Sequence, residues 1–154
     1  MMKTKYIIAA LSALMLSVSG LWAQNKDFRE ALKLQQRGMH NRASVLFDRL
    51  SRQTLSSDPE GYSILNDVMM NLDSYESDMI DFLERNPHTV LASQIRLQHA
   101  LNLFEAQDYE GSSTYLAAVP ASHVQSSMLD EYLFKKAYCE LEVGDMDRAL
   151  LQFE

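Results

Sequence analysis

The chain has 154 residues, 47% of them hydrophobic, with only 5 Gly and 3 Pro; that length suits one domain with a modest core, and the composition is neither disordered nor that of a turn-rich all-β protein. The formal charge is −7, a poor footprint for nucleic acid or anionic lipid, both of which require clustered Lys and Arg. Cys139 is the one cysteine, so no intramolecular disulfide can form and the fold must rest on packing.

The first segment is basic, Met1-Met2-Lys3-Thr4-Lys5, and an apolar run follows from Tyr6 to Val18. Ser19-Gly20-Leu21-Trp22-Ala23 then leads into polar sequence at Gln24. This order predicts a secretory signal peptide over residues 1–23, cut after Ala23, although Leu21 is not the small residue preferred three positions before the cut. The alternative is an uncleaved anchor, but the apolar run is 13 residues long against roughly 20 for a spanning helix. No cysteine lies near the cut to carry a lipid. Losing Lys3 and Lys5 with the leader lowers the 14 basic residues to 12, against 21 acidic ones. The mature chain is expected to be exported, without stable membrane insertion.

From Asp27 the apolar residues recur at helical spacing. A first helix carries Phe28, Ala31, Leu32 and Leu34, with Asp27 and Glu30 as an Asp variant of the capping box, and stops near Gly38. A second carries Ala43, Leu46, Phe47 and Leu50. After Ser56-Ser57, Asp58 is the expected cap and Pro59 the first helical residue of a third helix with Tyr62, Leu65, Val68, Met69 and Leu72. A fourth carries Met79, Ile80, Phe82 and Leu83 and ends before Asn86-Pro87. A fifth runs from about Thr89 to Ala106 with Val90, Ile95, Leu97, Leu101 and Phe104. A sixth runs from near Asp108 to before Pro120. A seventh, after Ser127, carries Leu129, Leu133, Phe134, Ala137, Tyr138 and Leu141 and stops at Gly144. An eighth begins at Met146. No stretch has the period of two expected of a strand.

The helix pairs repeat. Gly38-x4-Ala43-x3-Phe47 aligns with Gln107-x4-Ser112-x3-Leu116 and Gly144-x4-Ala149-x3-Phe153, at steps of 69 and 37 residues. Ala31, Ala100 and Ala137 each stand seven residues before the anchor, where two helices cross closely. A period near 34 with a small residue in the first helix, Gly at the turn, and Ala then Phe in the second resembles the tetratricopeptide repeat family. Ala137-Tyr138-Cys139-Glu140-Leu141-Glu142-Val143-Gly144-Asp145-Met146-Asp147-Arg148-Ala149-Leu150 carries the resemblance most fully. The unit at about Tyr62 to Asn86 lacks both the Gly and the early Ala. With its leader, the chain is similar to exported repeat proteins of Bacteroidetes-type bacteria.

The resemblance implies an all-α fold: a right-handed α-solenoid of antiparallel helix pairs over residues 24–154, in units of about 27–57, 58–87, 88–121 and 127–154. The last unit stops inside its second helix, so the chain reads as the N-terminal portion of a longer array.

No residue pattern calls for catalysis, a metal or a cofactor. His40, His88, His99 and His123 are not paired at ligand spacing, and Cys139 has no local base. Asp145-Met146-Asp147 lacks the remaining positions of a calcium loop. The methionines, Met69 and Met70 among them, read as core filling. The expectation is a scaffold for another protein or peptide, not for nucleic acid. Carrying the family's groove positions onto this chain gives Gln35, Gln94, Glu105, Glu131, Tyr138 and Glu142. Those side chains would favour a basic or polar extended peptide, or a helix. The rival expectations are an assembly subunit of an envelope complex and a repeat region preceding a functional domain.

Overall fold

The structure, a computed structural model, describes residues 26–144. The expected signal peptide, the expected eighth helix and the acidic stretch at Asp145 lie outside the described residues. Within them the chain is all-helical, with seven α-helices and no strand. These are α1 over residues 26–36, α2 His40–Ser51, α3 Asp58–Met69, α4 Glu76–Arg85, α5 Val90–Glu105, α6 Tyr109–Ala117 and α7 Leu129–Glu142. Two short 3-10 turns, Ala121–His123 and Ser126–Met128, link α6 to α7.

Four of the seven helices end in the same way. Gly38 (φ 72°), Asn71 (φ 50°), Gln107 (φ 65°) and Gly144 (φ 82°) are left-handed, and no other described residue has a positive φ. Each donates its N–H to the carbonyl three residues back, at 2.9 Å for Gly38 and 3.0 Å for the other three. After the first three, the next N–H reaches five residues back: Met39 to Leu34 (2.9 Å), Leu72 to Asp67 (3.2 Å) and Asp108 to Leu103 (2.9 Å). This pair of bonds is the Schellman stop, which satisfies the last carbonyls of a helix. The stops are 33, 36 and 37 residues apart. Asn71 therefore supplies the anchor that the second unit lacks in its glycine pattern; a short amide side chain tolerates the left-handed region.

The buried residues follow from this register. Seven before each stop stand Ala31, Ile64, Ala100 and Ala137, all in the core. The fourth and eighth residues of the following helix are Ala43 and Phe47 in α2, Met79 and Leu83 in α4, and Ser112 and Leu116 in α6, again all buried. Where Ala100 meets Ser112 the backbones come close enough for the Ser112 hydroxyl to donate to the Ala100 carbonyl at 2.9 Å. In the second unit Ile64 and Met79 replace the small pair, and α4 stands farther from α3 than α6 does from α5. Three extra residues, Asp73 to Tyr75, span that wider turn.

The core runs through the stack in three linked clusters. Ala31, Ala43, Phe47 and Leu50 join α1 to α2, with Tyr62 of α3 against them. Val68, Met79, Phe82 and Ile95 join α3, α4 and α5. Leu97, Leu116, Tyr132 and Cys139 join α5, α6 and α7. Polar ties lock the register: Asn66, fully buried, accepts from His40 Nδ1 at 2.8 Å and donates to the Tyr62 carbonyl at 2.7 Å. Asn102 donates to the Val68 carbonyl at 2.8 Å, fastening α5 to the end of α3.

Several local expectations are corrected. Asp27 is already helical and pairs with Arg49 at 3.0 Å instead of capping. Asp58 is the first residue of α3, which has no side-chain cap bond, because Pro59 and two early carboxylates start the helix. Leu72 lies beyond the Asn71 stop and is exposed, as are Ile80 and Val90 on the outer faces of their helices. The fifth and sixth helices start close to the expected positions, where Thr89 accepts from the Ala92 N–H and Asp108 from the Gly111 N–H.

Candidate binding cleft

The stops fix which way α1, α3, α5 and α7 face. Positions thirteen, nine, six and two residues before each stop share one face, since these steps of three and four follow the helical turn. In α3 they include Tyr62, Leu65 and Met69; in α5 they are Gln94, Gln98, Leu101 and Glu105; in α7, Glu131, Lys135, Tyr138 and Glu142.

Across α1, α3 and α5 this face forms a cleft of about 330 Å³. Leu32, Leu65 and Leu97 are among its apolar lining, with Met69, Met128 and Tyr62. Its polar groups are Gln35, Gln36, Gln94, Gln98 and Gln125, with His40 and His123. No Asp, Glu, Lys or Arg lines it. Each histidine is held by its Nδ1, His40 by Asn66 and His123 by Ser93 at 2.9 Å. Burial pushes the Tyr62 hydroxyl pKa up, with the Asp58 charge adding to it, so that hydroxyl stays protonated.

The residues expected in a groove divide between two places. Gln35 and Gln94 meet in the cleft. Glu105, Glu131, Tyr138 and Glu142 lie at the α5–α7 end and do not line it. There Lys135 Nζ reaches Glu105 at 2.8 Å and Glu131 at 3.3 Å, and sits 4.7 Å over the Phe104 ring. Burial alone would lower the Lys135 pKa, but the two carboxylates outweigh it and the pKa is raised. Tyr138 packs edge-on against Phe104 and Tyr109, and its hydrogen bond with Glu142 raises its pKa. These carboxylates already have partners within the fold.

Sequence reasoning did not find Tyr62, Met69, Gln36 or Gln98. Counting back from Gly38 and Gln107 reaches Gln36 and Gln98, whereas Tyr62 and Met69 follow only once the Asn71 stop is known. Gln125 and His123 come from the turns before α7, for which the helical period gives no signal. Met69 and Met128 line the cleft, whereas Met79 fills the core.

Among the described residues, no nucleophile, base and carboxylate come together in one site. Ser93 and His123 have the spacing of a nucleophile and its base, but Ser93 is only 2% exposed and no carboxylate orients the imidazole among the described residues. Burial pushes the Cys139 thiol pKa up, against a hydrogen bond with Ser112 that lowers it, which leaves the thiol protonated and inert. No group of three metal-ligating side chains is found among the described residues. A larger hollow between α2 and α4 is polar, and its groups bond one another: Ser44 donates to Asp67 at 2.7 Å and Arg85 pairs with Glu60 at 2.6 Å.

No protein-family model matches the chain, and no curated protein or solved structure matches it either. Among the described residues, no helix is long and apolar enough to cross a membrane.

Proposed function

We propose that the chain is a non-catalytic scaffold of the bacterial cell envelope that holds a segment of another protein in the cleft across α1, α3 and α5. On this reading it is a right-handed solenoid of tetratricopeptide-type helix pairs. The observation that supports it is the left-handed stop shared by Gly38, Asn71, Gln107 and Gly144, by which successive helices are placed in the same register. A repeated face on stacked helices makes a continuous trough, the feature such architectures use for binding. Export rests on the leader read from the sequence. The test is capture of a partner from envelope extracts by the full chain and by Gln35→Lys with Gln94→Lys. The reading expects loss of a discrete partner with the double variant and no loss of thermal stability; retention of that partner contradicts it.

One observation favours an assembly subunit as a second reading. Phe134 and Leu141 of α7 are 57% and 43% exposed. Their counterparts by register in α5, Leu97 and Phe104, are covered by α7 and the turn before it. This apolar strip suits a further helix. It predicts a stable complex that Phe134→Ser and Leu141→Ser dissolve while cleft changes do not.

A further inference from the structure

We infer that the cleft selects an uncharged, extended stretch of polypeptide, in contrast to the basic segment that Glu105, Glu131 and Glu142 would favour. The inference rests on the scaffold reading and specifies its ligand.

The first ground is charge. Of the whole chain 23% of residues are charged, yet the cleft lining holds none. A charged side chain entering it would give up hydration and meet no opposite charge, which is unfavourable. The acidic end of the same stripe lies outside the cleft, where Glu105 and Glu131 gather around Lys135.

The second ground is the amides. Gln35, Gln36, Gln94 and Gln125 make no side-chain hydrogen bond within the described residues. Each carries one acceptor oxygen and an NH2 that donates twice. Groups that donate and accept without charge match a peptide backbone, which offers one N–H and one C=O per residue.

The third ground is conformation. A helix spends its backbone N–H and C=O groups on its own internal ladder, so a helical ligand would leave the amides of the cleft unmatched. An extended chain fits instead: its side chains alternate, so every second one can meet Leu32, Leu65 or Leu97 while the backbone meets the amides. A neutral sugar is the other uncharged ligand with mixed donors and acceptors. It would call for an open aromatic face, but Tyr62, the one Phe, Tyr or Trp of the lining, is packed against both Phe47, stacked at 5.2 Å, and Phe28, edge-on at 5.7 Å.

The experiment is selection from a random peptide library against the full chain, followed by affinity measurement by fluorescence anisotropy. Selected peptides are expected to be uncharged across the bound stretch. Placing Lys or Glu in that stretch should weaken binding about tenfold or more, and Gln94→Glu should restore the Lys-bearing peptide selectively. Selection of basic peptides that bind the cleft overturns the inference and leaves the scaffold reading standing. Failure to select any peptide that Gln35→Lys with Gln94→Lys displaces overturns both, as does binding of a neutral oligosaccharide in place of peptides.

Discussion

The Ser112 hydroxyl donates to the Ala100 carbonyl at 2.9 Å where α5 crosses α6. Both residues are fully buried, so the crossing has room for a small side chain and little else. Ser112→Ala should cost no more than about 1 kcal/mol, the net worth of one hydrogen bond. Ser112→Leu should cost about 2–3 kcal/mol by overpacking. Urea unfolding of the two variants checks this, and equal midpoints would show that the helices are not in close contact.

The four helix stops make opposite predictions for different residues. Gln107 and Asn71 hold the left-handed conformation at a cost that glycine avoids. Gln107→Gly should therefore stabilise the fold by about 0.5–1 kcal/mol, after the glycine's own entropy is counted. Gly38→Ala should destabilise it by about 1 kcal/mol through its backbone alone, since a Cβ there meets nothing within 4 Å. Thermal melts with the same sign for both changes would refute the shared stop.

Gly61 has no room for a methyl group. A Cβ there would lie 2.5 Å from Phe82 Cζ and 2.6 Å from Leu91 Cδ2. Alanine gains about 1 kcal/mol of helix propensity over glycine, but the ring of Phe82 is buried and cannot swing aside. Gly61→Ala should lower stability by about 1–2 kcal/mol net. Adding Phe82→Leu, which shortens the ring, should make the alanine less costly than it is in the wild-type background; a double-mutant cycle in denaturant measures the coupling.

His99 gives the fold a pH dependence. It is 4% exposed, its Nδ1 lies 2.8 Å from the Tyr75 hydroxyl, and Tyr115 packs edge-on against its ring. Burial pushes its pKa below the usual 6.5, against the pull of Glu76 and Asp108. As pH falls below about 6.5 the unfolded chain takes up this proton before the folded one. The stability that neutral His99 contributes is thus complete at higher pH and declines from about 6.5 down to the depressed folded value. His99→Gln should flatten that part of a stability-against-pH curve. An unchanged slope in the variant would assign the effect elsewhere.

Much of the fold was legible because helical periodicity reports the buried face directly. Ala31, Ala43, Phe47, Ala100 and Ala137 are core residues, as their spacing implied. The second unit was obscure for a physical reason: Asn71 replaces glycine at the stop, Ile64 and Met79 replace the small crossing pair, and the turn is longer. None of these leaves a trace in a pattern built on Gly and Ala. The cleft was half legible. Gln35 and Gln94 follow from the resemblance, but the pairing of Lys135 with Glu105 depends on the approach of α7 to α5, which spacing within one helix cannot report. The contribution of His123 and Gln125 depends on the path of the turns before α7.

The central claim is that the cleft across α1, α3 and α5 holds a partner polypeptide. Site-specific photo-crosslinking tests it most directly, with the photoreactive residue placed at Gln94 in the full chain and, as a control, at exposed Ile80 on the outer face of α4. In envelope preparations the account predicts a discrete crosslink from position 94 and none from position 80, with mass spectrometry placing the bond in an uncharged stretch of one partner. Equal crosslinking from both positions, or none from 94 while the partner still co-purifies, would contradict it.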